Sequence, residues 1–265
     1  MKSKRMLMNY LYTVEKLRTA RIPYYTIELC FGEPEIKKAI HVSGKSFLFH
    51  KERLCRLVER HVSWWYSKIM FLDADIIFNN PKWYSEVSAL LYSQDVVQPF
   101  QKAVWLDITF KQPIIERYTV AGMDTKGVFD SKLHPGFAWA FKRSWYRKVG
   151  FFDYGITGSG DTLSVAAWLN VPFRPSYLVS ALKPAFDEFN KLPKPKLANI
   201  KGTVYHLWHG TRENRKYLER HSILDGVSDV RDILVLNKDG VFELTDTKIN
   251  KKLEEYFVSR DDDGF

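Results

Sequence analysis

Lys68-Ile-Met-Phe-Leu-Asp-Ala-Asp-Ile-Ile-Phe78 is an apolar run interrupted only by two aspartates after its opening lysine. Bounded by polar turns, such a run predicts a strand buried on both faces within an α/β sheet. Upstream, Leu7, Tyr10, Leu11, Val14 and Leu17 fall at helical spacing between Lys4 and Thr19, and Ile22-Pro23 breaks that helix. Tyr24 to Phe31 alternates as a strand, Gly32-Glu33-Pro34 turns, and Lys51 to Arg60 predicts a basic amphipathic helix. Downstream, Asn80 and Pro81 supply the cap and first turn of a helix to about Tyr92, and Asp95 to Phe100 is the next strand. Gln101 to Lys132 reads mostly as loop. Regular signals return at Phe137 to Phe141 (strand), Asp161 to Leu169 (helix) and Thr203 to Trp208 (strand). The order predicts an α/β fold, a sheet with helices on its faces. Residues 1–265 read as a single domain, with 217–265 a peripheral C-terminal segment.

Composition narrows the classes. A chain of 265 residues that is 45% hydrophobic can fill one sizeable core, and 27% charged residues argue against wholesale disorder. The 40 basic residues exceed the 31 acidic ones, giving +9, spread along the chain. That surplus favours anionic partners such as nucleotide diphosphates, and leaves peripheral contact with an acidic membrane face open. Nucleic acid is not expected, because the basic helix lacks the interleaved aromatics of single-strand binders. Cys30 and Cys55 form no CxxC, so neither a disulfide framework nor a cysteine zinc site is supported. No apolar run reaches the roughly 18–20 residues of a membrane helix. Met1-Lys-Ser-Lys-Arg lacks the apolar stretch of a signal peptide, so a cytoplasmic protein is expected. A secreted toxin, a collagen, a coiled coil and a membrane channel are excluded.

Three stretches carry chemistry. Asp73 and Asp75, two apart near a strand end, would face one side of the crevice where open α/β sheets bind ligands. Two anions there need a compensating cation, and hard oxygen ligands suit Mg²⁺ or Mn²⁺; the alternative is a solvated pair of turn aspartates. Gly155-Ile-Thr-Gly158-Ser159-Gly160-Asp161 is a glycine turn that lets backbone approach a ligand, with Asp161 opening the next helix, as catalytic carboxylate or as simple cap. His206-Leu-Trp-His209-Gly210 places two imidazoles three apart. Both reach one ion only if the strand ends there, as Gly210 allows; otherwise His206 is core and His209 surface. Arg212 and Arg215 follow and suit phosphate oxygens. Trp139 and the other tryptophans could stack on sugar rings or fill the core. The terminal Arg260-Asp-Asp-Asp run reads as a solvated tail.

Asp73-Ala-Asp75 resembles the DxD motif of GT-A glycosyltransferases. Gly158-Ser-Gly-Asp161 is similar to the Gly-Gly-Glu-Asp turn of the β-1,4-galactosyltransferases, with Gly160 where that family has glutamate. His206-Leu-Trp-His209 is similar to its Met-x-x-His pair, with His for Met. All three stand in the family's order, over about Tyr24 to Tyr217. The resemblance implies a GT-A-like fold, a mixed Rossmann-like sheet flanked by helices. The same resemblance implies a metal-dependent transfer of sugar from a nucleotide diphosphate donor, a UDP-sugar by preference, to a glycan or other hydroxyl acceptor. It implies donor contacts at Asp73, Asp75, Arg212 and Arg215, and Mn²⁺ or Mg²⁺ on Asp75, His206 and His209. It also implies acceptor contacts at Trp139, Gly158 and Ser159, and an inverting base at Asp161. The chain opens on a helix, which leaves the family's first strand without a counterpart. Two alternatives stand beside this reading: a haloacid-dehalogenase-like phosphohydrolase, although Ile77 stands where those enzymes favour Thr or Val, and a non-catalytic remnant that binds nucleotide or glycan.

Overall fold

A computed structural model describes residues 3–122, 132–171, 178–211, 213–260 and 262–263. Ser3 caps the first helix by accepting from Met6 N at 3.1 Å, and α1 (Lys4–Thr19) buries Asn9, Thr13, Val14 and Leu17. Two short parallel strands follow, β1 (Ile27–Cys30) and β2 (Ile40–Ser43), and then α2 (Lys51–Glu59).

The decisive apolar run does not form one strand. It gives β3 (Lys68–Leu72) and β4 (Ile76–Phe78), and Asp73-Ala-Asp75 makes the corner between them. Helix α3 (Trp83–Leu90) follows. The first half enters a four-stranded sheet with β5 (Val96–Gln98), β9 (Ala138–Lys142) and β10 (Leu197–Asn199), in the order β10-β5-β9-β3. The second half enters a five-stranded sheet with β6 (Lys102–Leu106), β7 (Pro113–Thr119), β8 (Leu133–His134) and β11 (Thr203–His206), in the order β4-β11-β6-β7-β8. Both halves therefore lie at sheet edges, and the expected central strand is corrected. An apolar run reports burial, which helices supply here, and says nothing about how many neighbours a strand pairs with.

Each sheet mixes parallel and antiparallel pairs: β10 runs parallel to β5, and β9 runs antiparallel to β5 and β3. Leu17 of α1 and Trp83, Val87 and Leu91 around α3 pack with Val97 and Ala140 on one side of the four-stranded sheet. A second apolar cluster gathers Ile69, Val96 and Phe141 with α4 (Arg143–Lys148) and α5 (Gly160–Leu169), through Trp145, Tyr146, Val165 and Trp168. The fold is mixed α/β, with helices and several sheets and no closed barrel among the described residues.

Two further expectations are corrected. Gln101 to Lys132 holds β6 and β7, an antiparallel pair whose register shifts between Trp105 and Leu106, although residues 123–131 lie outside the described set. The segment after Tyr217 is not peripheral. Leu224, Val230, Phe242, Ile249 and Leu253 share a buried cluster with Phe152, Ile156 and Leu163. Helix α6 (Lys183–Phe189), the hairpin of β12 (Leu234–Leu236) and β13 (Phe242–Leu244), and α7 (Thr247–Val258) complete this side. No described helix is long and apolar enough to cross a membrane.

Candidate functional site

The corner at Asp73-Ala-Asp75 opens into a cleft of about 1460 Å³, whose polar lining comes from the strand ends, the start of α2, the glycine turn and the segment after β11. Strand β11 ends at His206, and Leu207 N donates to Asp75 O at 2.8 Å, which pins the chain leaving β11 to the corner. Beyond the strand end the chain turns, so the two histidines need not face opposite ways. His209 Nε2 lies 2.8 Å from Asp75 Oδ2, His206 Nε2 lies 3.5 Å from the same oxygen, and the two ring nitrogens are 3.2 Å apart. One donor atom from each of the three residues falls within 4.8 Å of the others. The expected trio converges. Helix α1 closes the site from behind: Asn9 Nδ2 donates to Trp208 O at 3.1 Å, and Thr13 Oγ1 donates to Ile76 O at 3.3 Å.

The electrostatics fit a cation. Burial pushes the Asp75 carboxyl up, but the facing charge of His206, the hydrogen bond from His209 and nearby Arg215 outweigh it. The carboxyl is held well below the usual carboxylate range. Its second oxygen, Oδ1, is buried with no hydrogen-bond partner among the described residues. A buried carboxylate oxygen left unsatisfied is costly, and a bound cation is one way to satisfy it. One carboxylate with two imidazoles is a donor set that Mn²⁺ accepts, whereas Mg²⁺ prefers oxygen alone.

Asp73 belongs to a second group. Helix α2 starts at Lys51, whose ammonium lies 3.3 Å from Asp73 Oδ1 and 3.7 Å from Asp161 Oδ2. Lys51 is thus the hinge between the corner and the glycine turn, though its side chain is 45% exposed at the cleft mouth. Burial pushes the Asp73 carboxyl up to about 6, with Lys51 opposing and Asp75 and Asp161 adding to the rise. The same balance acts on neighbouring Glu52, which burial pushes up to about 7 against Lys51. Glu52 packs so tightly on the turn that a Cβ at Gly160 would sit 2.5 Å from its carboxyl carbon. Gly136 is equally constrained, since its Cβ would sit 2.6 Å from Asp161 Oδ2.

The glycine turn is held rigidly. Gly158 has φ +98° and Ser159 φ +66°, the left-handed region that glycine enters freely and serine rarely does. Two contacts secure it: Thr157 Oγ1 lies 2.8 Å from His221 Nδ1, and Ser159 Oγ lies 3.1 Å from His221 Nε2. Asp153, just upstream, takes Arg53 Nη1 at 3.2 Å and Arg56 Nε at 3.1 Å, tying the turn to α2. Gly158, Ser159 and Asp161 line the cleft as expected.

Other expectations meet different fates. Trp139 is 2% exposed, packs edge-on against Trp168 and donates Nε1–H to Pro135 O at 2.7 Å; it is a core residue and not an acceptor contact. Strand β9 buries Ala138 to Phe141 without alternation, so an aromatic there has no exposed side to occupy. Arg215 does reach the site, donating Nη2–H to His209 Nδ1 at 2.7 Å, whereas Arg212 lies outside the described residues. The acidic tail is not simply solvated, because Asp262 lies 3.6 Å from Arg215 and 3.0 Å from Arg260. Lys51 and Glu52 were not expected in the cleft, nor His221 behind its glycine turn. Lys51 and Glu52 open a helix whose charges read as a solvated face, and His221 lies in a segment without periodicity. No protein-family model, curated protein or solved structure matches the chain.

Proposed function

We propose that the protein is a GT-A-like, metal-dependent glycosyltransferase that moves a sugar from a nucleotide diphosphate sugar to an acceptor hydroxyl. The convergence of Asp75, His206 and His209 in the cleft that also holds Asp73 and Asp161 carries this reading. A divalent ion, Mn²⁺ by donor type, would supply charge stabilisation for the departing diphosphate. Asp73 accepts from hydroxyls of the donor, and Arg215 donates to its phosphate oxygens. Asp161 takes the acceptor proton as that oxygen bonds to the anomeric carbon and the bond to the diphosphate breaks, with inversion. Lys51 offsets the charge of Asp73 and Asp161 and keeps both carboxylates facing the cleft. Gly158 and Ser159 border the acceptor.

The test is a panel of nucleotide sugars with Mn²⁺, scored for nucleotide diphosphate release, on wild type and Asp161→Asn. The variant should lose transfer and keep donor and metal binding. Transfer at the wild-type rate by Asp161→Asn would remove the assigned base. Inorganic phosphate released from a sugar phosphate without nucleotide would favour the hydrolase, and absence of any turnover despite nucleotide binding would favour the remnant.

A further inference from the structure

The geometry points to Arg220 as an oxyanion anchor inside the cleft, placed to take a phosphate or carboxylate of a substrate. Arg220 lines the cleft but is only 7% exposed, and among the described residues it forms no ion pair. Among the described residues its buried Nε has no hydrogen-bond partner, and the hydrogen bond its side chain makes is a long one, from Nη1 to Tyr256 Oη at 3.4 Å. A guanidinium in this state is incompletely compensated, because burying a charge requires a counter-charge or a full set of acceptors. The ring faces beside it, Phe49 at 4.4 Å and Tyr217 at 5.1 Å, offer attraction and no acceptor atoms.

The setting is built to hold the group still. A Cβ at Gly158 would lie 2.2 Å from Arg220 Nη2, so the guanidinium lies flat against the turn that leads to Asp161. The next residue, His221, fixes that turn through Thr157 and Ser159. Tyr256 joins the two arginines: its hydroxyl donates to Arg215 O at 2.8 Å and accepts from Arg220. A planar fork of donors held on aromatic faces suits two-point recognition of an oxyanion. Two substrates could bring one: the diphosphate of the donor, or an acceptor bearing phosphate or carboxylate. This deepens the transferase reading by naming a charged substrate group, yet the anchor itself is testable without metal or turnover.

Calorimetric titration with inorganic pyrophosphate, inorganic phosphate and UDP, in chelator without metal, tests it. Wild type should bind pyrophosphate or phosphate, more weakly as salt is raised, and Arg220→Gln should lose about tenfold or more, the worth of a charge-assisted hydrogen bond. Arg220→Lys, which keeps the charge and loses the fork, should fall between them, and it carries the comparison if Arg220→Gln does not fold. Equal loss for UDP and pyrophosphate identifies the donor diphosphate as occupant. UDP binding that is untouched while phosphate binding falls identifies a charged acceptor. Wild type that binds neither pyrophosphate nor phosphate, or variants that bind both as wild type does, overturns the anchor. Neither of those results bears on Asp161→Asn, so the transferase reading stands or falls separately.

Discussion

Arg215 Nη2 lies 2.7 Å from His209 Nδ1 and 3.3 Å from Nε2 of the same ring, so the guanidinium crowds both ring nitrogens. Nε2 also faces Asp75 Oδ2 at 2.8 Å, and a hydrogen on that nitrogen would be donated there. A metal ligand must present that nitrogen bare. The ring can do so with its proton moved to Nδ1, and Arg215 then has to leave. The arginine and the ion therefore compete for the histidine, and an arginine released beside the site is free for phosphate.

Two substitutions separate these roles. Asp75→Asn should weaken Mn²⁺ binding by about tenfold or more, since a neutral amide replaces the only carboxylate of the trio. Arg215→Gln removes both the competing donor and a cation, so Mn²⁺ should bind as tightly as in wild type or a few times tighter, with UDP binding weakened about tenfold. Mn²⁺ titration followed by electron paramagnetic resonance reads the first quantity and calorimetry the second. Loss of Mn²⁺ affinity in Arg215→Gln would show that the arginine supports the histidine in the loaded site.

Gly136→Ala probes the placement of Asp161. The added methyl would sit 2.6 Å from Asp161 Oδ2 and 3.2 Å from His134 Nε2, so the short aspartate must move. A displacement of this size at a reacting group costs on the order of a hundredfold in rate. We expect kcat to fall by about that factor with Tm little changed. Unaltered kcat would place the proton acceptor elsewhere in the cleft.

What the sequence conveyed depended on range. Helix α1 was read at its observed bounds because Leu7 to Leu17 repeat at helical spacing over about three turns, and Ser3 caps locally. The split of Lys68–Phe78 was hidden, because apolarity does not record which sheet a residue joins. Strand β7 was missed because Pro113 to Thr119 is exposed or half-buried at all but its last position, leaving no inward face to detect. The trio at Asp75, His206 and His209 was implied by the resemblance, with Gly210 allowing a nearby strand end, which falls at His206. Lys51 was not legible, since its two carboxylate partners lie 22 and 110 residues away and only the fold reveals them. Ile249, Leu253 and Tyr256 of α7 do repeat at helical spacing, a signal within reach that would have moved the C-terminal segment into the core.

Trp139→Ala tests the placement of Trp139 in the core. Removing a fully buried indole that packs on Trp168 should cost about 3–5 kcal/mol of stability. Denaturant unfolding measures this directly. Where the variant still folds, the acceptor KM should be unchanged, and a raised KM at full stability would return Trp139 to the acceptor site.

The pH dependence of stability holds opposed terms, and Asp73, which burial pushes up to about 6, shares the sign of Glu52. Burial, with Arg220 adding to it, pushes the His221 imidazole down to about 4, and burial alone pushes His50 to about 4 against the pull of Ser46 O and Glu243. Unfolded imidazole titrates near 6.5, so between 6.5 and 4 the unfolded chain binds more protons and stability falls as pH falls. Glu52 acts the other way. Burial, with the charges of Asp161 and Asp73 adding and Lys51 opposing, pushes it up to about 7 from 4.5, so the native state keeps a proton the unfolded chain releases, and stability falls as pH rises between those values. Glu52→Gln removes only this term. Its stability should rise from pH 5 to pH 7 more steeply than that of wild type, by on the order of 2 kcal/mol, in urea unfolding at fixed pH. An identical slope in the two proteins would mean that Glu52 is already ionised in the native cleft at pH 5, with Lys51 prevailing over burial.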